Sequence, residues 1–253
     1  MMMMLLITLG VVFIPSACYA WGPLTHMYLG SEILSASYLI PSAVYAIIKA
    51  YRDDFLYGNI VADIVLGKKY LPQDRSSHSW RFGFSLIDNT RTPQQRAFAY
   101  GYLSHLAADT VAHELLTNEQ KNIKHTIYEL QADSLIKKKY WLQAIAIGKS
   151  VQKRNDVFLE NSLCDSFFSF KTNKRIFKSM VYMSLFTSIS FKTVYEPKEL
   201  SYLPKRQTIR ELTEESLMRI TDILSKGQGS TVVRIKPGGE IVHGRLFKGL
   251  FLK

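Results

Sequence analysis

Residues 93–116 read PQQRAFAYGYLSHLAADTVAHELL, and this stretch decides the fold. Pro93 suits the first turn of a helix, because a helix does not use the backbone N–H that proline lacks at that position. The apolar residues that follow recur with helical spacing. We therefore predict a long helix from Gln94 to about Leu116, the clearest helix of the chain.

The polar residues of this helix share one face. His105, Asp109 and His113 are spaced by four and by four, and residues four apart lie on the same side of a helix. Their face also carries Leu106 and Ala112, so it is apolar. A buried, unpaired carboxylate is strongly destabilising, and a dication compensates it directly. The trio therefore predicts a metal site in preference to a hydrogen-bonded core.

A second pair repeats this spacing. His125 and Glu129 lie four apart on the next predicted helix, over residues 119–138. Helical bundles build metal sites from such pairs on facing helices. Lys121 and Lys124 indicate a partly solvated face, so this pair alone fits a metal site and an ordinary surface pair equally well.

Helical periodicity dominates the rest of the chain. Further helices are predicted at about residues 25–35, 41–51, 140–151, 164–191 and 206–224. Pro72, two glycines and several serines predict a long loop over residues 67–92. The fold class is therefore mainly α: a single-domain multi-helix bundle over residues 21–226, followed by a Gly-rich tail over residues 227–253. A β-like run at residues 231–235 predicts a short hairpin in that tail.

Residues 1–20 differ from the rest, since they contain no charged residue and no histidine. A largely apolar stretch ends at Pro15, and Cys18 and Ala20 are small residues at the two positions that a signal peptidase reads. This predicts a secretory signal peptide cleaved after Ala20, and a secreted or periplasmic protein. One cysteine, Cys164, then remains, which excludes an intramolecular disulfide in the mature chain.

Composition is that of an ordinary globular protein, with 47% hydrophobic and 21% charged residues. The formal net charge of +11 favours anionic partners such as phospholipid surfaces, nucleic acid or cell-wall polyanions. A basic surface without any such partner fits the charge equally well.

Several common catalytic motifs are excluded. His113-Glu114 begins like the His-Glu-x-x-His helix of metalloproteases, but position 117 is Thr. There is no Gly-x-Ser-x-Gly elbow, no phosphate-binding glycine loop and no Cys-x-x-Cys pair for a thiolate zinc site.

The chain resembles the bacterial zinc-dependent phospholipase C family, which shares its fold with single-strand-specific zinc nucleases. The segments WGPLTH (residues 21–26) and AYGYLSHL (residues 99–106) carry most of the resemblance. Nine positions match the metal ligands of that family in order and approximate spacing: Trp21, His26, Asp63, His78, His105, Asp109, His113, His125 and Glu129. The half of the chain from Tyr140 onward contributes no motif.

The resemblance implies a cofactor of two to three zinc ions and a role for each ligand. Trp21 would bind the first zinc through its α-amino nitrogen and carbonyl oxygen, together with His26. Asp109 would bridge this zinc to a second one. The second zinc would also bind Asp63, His78 and His105, and the third would bind His113, His125 and Glu129. Cleavage after Ala20 would create the amine, whose pKa of about 8 lets a metal displace its proton readily.

The activity that the resemblance implies is phosphodiester hydrolysis. A phospholipase C would cleave phospholipids at a membrane surface to diacylglycerol and a phosphorylated headgroup. Zinc polarises phosphoryl oxygens and activates water, and Asp63 would orient or deprotonate that water. No obligate protein partner is evident from the sequence.

Two alternatives remain. One is a secreted zinc nuclease or nucleotidase that uses the same metals on nucleic acid, and the other is a non-catalytic zinc-binding protein. Glu129, where the nucleases carry Asp, and the lack of disulfides favour lipid. Five aromatic residues could line an acyl-tolerant face, although core packing explains them more simply: Phe167, Phe168, Phe170, Phe177 and Phe191. Ile64 stands where phosphatidylcholine-preferring members carry Tyr, so the resemblance implies no choline preference.

Overall fold

The computed structural model describes residues 21–64, 76–112, 131–163, 174–175 and 206–237. These residues are mainly helical and include no strand, which confirms the predicted fold class. The helices are α1 (Pro23–Ser35), α2 (Ser42–Ala50), α3 (Arg52–Val61), α4 (Trp80–Asp88), α5 (Pro93–Val111), α6 (Lys138–Ala146), α7 (Lys149–Ser162) and α8 (Arg206–Lys226). None of these helices combines the length and the apolar character that crossing a membrane requires.

Helix α5 forms the centre of the fold. Its start is fixed by a capping box, in which the Thr92 hydroxyl accepts from the Gln95 backbone N–H and the Gln95 side chain accepts from the Thr92 N–H. Every residue from Gly101 to Val111 is buried, because α3, α4 and α8 pack around this helix. The end of the predicted helix, residues 113–116, lies outside the described residues.

Two glycines let α3 and α5 cross with their backbones in contact. A Cβ atom on Gly58 would lie 2.1 Å from the carbonyl oxygen of Phe98, and one on Gly101 would lie 2.0 Å from the carbonyl oxygen of Phe55. Both distances are far below van der Waals contact, so neither position can carry a side chain. The crossing fixes the residues next to it, and these include Asn59 on α3 and His105 one turn further along α5.

We expect Gly101→Ala to destabilise the protein by about 3 kcal/mol or more, or to prevent folding, because the methyl group meets main-chain atoms that cannot rotate away. Gly229→Ala is the matched control, since a Cβ there would meet nothing within 4 Å. Urea denaturation of the purified variants measures the difference. Equal denaturation midpoints for the two variants would contradict the close crossing.

Helix α7 is held against α3 by an ion pair between the exposed side chain of Arg154 and the buried carboxylate of Asp54. The carboxylate of Asp54, 1% exposed, accepts from Arg154 Nε at 2.7 Å, from Arg154 Nη2 at 2.5 Å and from Asn155 Nδ2 at 2.6 Å. This contact joins residues about 100 positions apart in the chain. It therefore stabilises the bundle through tertiary structure.

The predicted loop over residues 67–92 is wrong at its C-terminal end, where α4 occupies Trp80–Asp88. The Ser79 hydroxyl caps this helix by accepting from the Phe82 N–H, and Trp80 and Leu86 are buried. Burial of one apolar face outweighs the weak helix propensity of the glycine and serine that it contains. The predicted helix over residues 140–151 is likewise two helices, divided at Gly148.

The predicted hairpin is wrong for the part of the tail that the structure describes. Residues Thr231–Arg234 form a 3-10 helix, whose first turn is capped by the Ser230 hydroxyl. Gly227 adopts a φ of 55° just after α8, a conformation that favours glycine. The β-branched residues at 231–233 favour a strand by propensity, but Val232 is instead buried in the core. Residues 238–253 lie outside the described residues.

Candidate metal centre

Four groups from three parts of the chain converge on the carboxylate of Asp109, which is fully buried. Its Oδ2 lies 2.7 Å from His78 Nε2 and 3.0 Å from His105 Nε2. Its Oδ1 lies 3.0 Å from His26 Nε2 and 3.4 Å from the backbone nitrogen of Trp21. Three imidazole nitrogens and one backbone nitrogen therefore surround a single carboxylate.

A second carboxylate faces the same imidazoles. Asp63 Oδ1 lies 3.6 Å from His105 Nε2 and 4.0 Å from His78 Nε2. His26, Asp63, His105 and Asp109 each offer one ligand atom, and these four atoms lie within 4.8 Å of one another. The short 3-10 helix Ala62–Ile64 after α3 positions Asp63 at this cluster.

The ring of His105 is oriented by the backbone of α3. His105 Nδ1 lies 2.8 Å from the carbonyl oxygen of Asn59, so this nitrogen donates its proton there and Nε2 faces the two carboxylates. The rings of His26 and His105 stack with centroids 3.8 Å apart. A metal-binding histidine commonly has its second nitrogen fixed in this way. No sequence pattern indicates Asn59, because the contact uses a main-chain atom.

His78 is positioned by α5 although it precedes α4. The Tyr102 hydroxyl donates to the carbonyl oxygen of Ser77 at 2.7 Å, and Tyr102 is buried one turn before His105. The rings of His78 and His105 meet edge to face at 5.3 Å. Helix α5 thus supplies Asp109 and His105 directly and holds the segment that carries His78.

The carboxylates favour positive charge at this cluster. Burial lowers the pKa of His105, but Asp109 and Asp63 outweigh it and raise that pKa to about 10. Burial, with a further contribution from His105, holds the pKa of His26 below its usual value. Burial also opposes ionisation of Asp109, yet His105 and His26 hold the pKa of its carboxyl well below the usual range. A proton or a metal cation can supply the favoured charge.

The donors fit zinc. Ligands about 2.0–2.2 Å from a tetrahedral zinc lie roughly 3.3 Å from one another, and His78 Nε2 and His105 Nε2 are 3.2 Å apart. Both ring nitrogens of His26 are buried without a hydrogen-bond partner, although Nε2 is 3.0 Å from Asp109 Oδ1. Buried nitrogens without a partner are costly, and a metal ion on Nε2 would remove part of that cost.

A comparison with protein families matches residues 25–178 to the family described as zinc dependent phospholipase C. The match covers more than half of the chain. The chain belongs to the zinc-dependent phospholipase C family. No curated protein and no solved structure matches the chain significantly. The family match begins at Thr25, so it includes the cluster around Asp109 but not Trp21.

Trp21, just before the range that the family match covers, is nevertheless held firmly at the cluster. The side chain is 1% exposed, and its indole Nε1 donates to the Ser216 hydroxyl of α8 at 3.0 Å. In the full chain the Trp21 backbone nitrogen belongs to a peptide bond and donates to Asp109 Oδ1. Its role as a zinc ligand after cleavage stays a prediction.

Six of the nine ligands that the resemblance to zinc-dependent phospholipase C implies are therefore brought together: Trp21, His26, Asp63, His78, His105 and Asp109. The three remaining ones lie outside the described residues: His113, His125 and Glu129. The same is true of Cys164 and of the five phenylalanines between residues 167 and 191.

Proposed function

We propose that this chain is a secreted phospholipase C that cleaves phospholipids to diacylglycerol and a phosphorylated headgroup. Membership of the zinc-dependent phospholipase C family supports zinc-dependent phosphodiester hydrolysis in general. The main support is the convergence of Trp21 and three imidazoles on the buried carboxylate of Asp109, with Asp63 facing two of those imidazoles. Nitrogen and oxygen donors in this arrangement are typical of zinc hydrolases.

Residues of the cluster would either bind zinc or hold the zinc ligands in position. His26 and the Trp21 amine would hold one zinc on the Oδ1 side of Asp109, and His78 and His105 would hold another on the Oδ2 side. When bound, zinc would polarise the phosphoryl oxygens of the substrate and make water a nucleophile at neutral pH. Asn59, through its carbonyl, and Tyr102, through Ser77, would keep the imidazoles in place.

Asp63 is the carboxylate best placed to handle the water proton. Its side chain is 9% exposed, whereas that of Asp109 is fully buried. Its oxygen also lies farther from the imidazoles, at 3.6 and 4.0 Å, than either oxygen of Asp109 does. We therefore assign the water proton to Asp63, while Asp109 would only hold metal.

Secretion belongs to the same proposal. The signal peptide would direct export, and its cleavage after Ala20 would create the Trp21 amine within reach of Asp109. The net charge of +11 would attract the mature enzyme to anionic phospholipid surfaces. It would attract a nuclease to nucleic acid equally well, so only an assay separates the two substrates.

We expect the mature protein, beginning at Trp21, to contain two to three zinc ions and to release diacylglycerol from phospholipid vesicles. Elemental analysis gives the metal content. Hydrolysis is measured on neutral vesicles, on anionic vesicles and on single-stranded DNA at equal zinc. Removal of zinc with a chelator should abolish turnover, and added zinc should restore it.

Each other result assigns a different function. Cleavage of DNA without cleavage of lipid would establish the nuclease alternative. Full zinc content without turnover of either substrate would establish a non-catalytic zinc protein. Less than one zinc per chain would refute the metal centre itself.

A further inference from the structure

The carboxylate of Asp133, from a distant part of the chain, accepts hydrogen bonds from the first turn of α1. Asp133 lies in the helical residues 131–135 and is 1% exposed. Its Oδ1 accepts from the Thr25 backbone N–H at 2.9 Å and from the Thr25 hydroxyl at 2.7 Å. Its Oδ2 accepts from the Leu24 N–H at 3.3 Å. These residues are more than 100 positions apart.

The hydrogen bonds to Asp133 replace a local helix cap. The first N–H groups of a helix have no partner within the helix, and a Ser, Thr, Asp or Asn at the N-cap normally accepts from them. Here the N-cap is Gly22, which makes no side-chain cap. A Cβ on Gly22 would lie 2.4 Å from Asp133 Oδ2, so the space for a local cap is filled by Asp133. The negative charge of Asp133 also suits the positive end of the helix dipole.

Leu24 and Thr25, the residues bonded to Asp133, lie between two groups of the metal centre. Trp21 precedes Gly22 and His26 follows Thr25, and both reach Asp109 Oδ1, at 3.4 and 3.0 Å. The position of α1 along its own axis therefore decides whether both nitrogens reach that oxygen. Asp133 bonds directly to residues 24 and 25, which lie between these two groups, so it helps to fix this position.

We propose that Asp133 is a positioning residue for the zinc that Trp21 and His26 would share, and that it sets the affinity for this zinc. The inference rests on the proposed function, because it takes the cluster to be a zinc site. Asp133 contacts neither Trp21 N nor the His26 ring through the bonds described. It acts through the backbone of residues 22–25.

The test measures the affinity of the protein for zinc. Mature wild-type protein and Asp133→Ala are loaded with zinc and titrated with a competing chelator, and the zinc retained per chain is measured. We expect one zinc equivalent of the variant to be lost at a free-zinc level about 10–100-fold higher than in the wild type. The remaining zinc should be retained as in the wild type.

Asp54→Ala is the matched control. Asp54 is also an aspartate that is 1% exposed, and it accepts three hydrogen bonds, from Arg154 and Asn155. Its loss should lower the denaturation midpoint but leave the zinc titration of the wild type unchanged. A purely structural role for Asp133 would give both variants the same titration.

Thr25→Val covers the case in which Asp133→Ala does not fold. It keeps the shape of the side chain and removes only the hydroxyl bond to Asp133 Oδ1. We expect a several-fold weaker affinity for the same zinc. Titrations of Asp133→Ala, or in its place of Thr25→Val, that match Asp54→Ala would overturn the inference. A wild-type protein that binds no zinc would instead overturn the proposed function.

Discussion

Asp109→Asn is expected to lose the zinc ions on both sides of residue 109 and to reduce hydrolysis by about 100-fold or more. Both oxygens of Asp109 face nitrogen donors at 2.7–3.4 Å. Loss of a residue that only orients a ligand already weakens metal sites about 10–100-fold, and Asp109 would bind the metals directly. An amide presents one neutral oxygen where the carboxylate presents two charged ones.

The matched control is Asp88→Asn. Asp88 is exposed at the end of α4, so this change also removes one carboxylate but away from the cluster. It should leave zinc content and turnover at the wild-type level. Zinc content and the kinetics of a chromogenic phosphodiester lipid analogue are measured for both variants. Equal zinc content and equal kinetics would remove Asp109 from the metal centre.

A single glycine added before Trp21 is expected to abolish hydrolysis, and so is retention of residues 1–20. In both forms the Trp21 nitrogen is an amide, whose lone pair is not available to a metal. In a chain that begins at Trp21 it is an amine, and in the full chain the same nitrogen lies 3.4 Å from Asp109 Oδ1. A metal site built only from side chains would not respond to this difference.

Trp21→Phe at a correctly cleaved terminus is the control for this prediction. The indole of Trp21 makes one hydrogen bond, to Ser216 Oγ at 3.0 Å, and its loss costs about 1 kcal/mol. The Ser216 hydroxyl still donates to the Leu212 carbonyl oxygen. This variant should keep measurable activity because its amine is intact. Full activity of the Gly-extended form would exclude Trp21 as a ligand and leave at most a two-zinc enzyme.

Two kinds of sequence information predicted the residues of the cluster: helical spacing and the family resemblance. The four-residue spacing of His105 and Asp109 predicted their common face from helical geometry alone, and the structure places both side chains in the cluster. Trp21, His26, Asp63 and His78 lie on separate elements, and no periodicity connects them. Their place in the cluster was predicted only through the family resemblance.

The supporting contacts could not be predicted from the sequence. Tyr102 and Ser77 are 25 residues apart, His105 and Asn59 are 46 apart, Thr25 and Asp133 are 108 apart, and Trp21 and Ser216 are 195 apart. Two of these contacts end on a main-chain carbonyl, which every residue has. Such contacts depend on how the helices cross, and local sequence patterns do not predict that crossing. The missed helix α4 and the incorrect hairpin have the same cause, since tertiary burial outweighed local propensity.

The close contact between Gly58 and Gly101 limits how this protein can change during evolution or engineering. Where two side chains touch, a larger residue on one helix can be accommodated by a smaller one on the other. Here main-chain oxygens lie within 2.0–2.1 Å of where each Cβ would stand, so no partner substitution can make room. Each position is therefore constrained independently, and a compensating substitution on the other helix cannot remove the constraint. Sequence diversity must therefore arise elsewhere, and mutant libraries should keep residues 58 and 101 fixed.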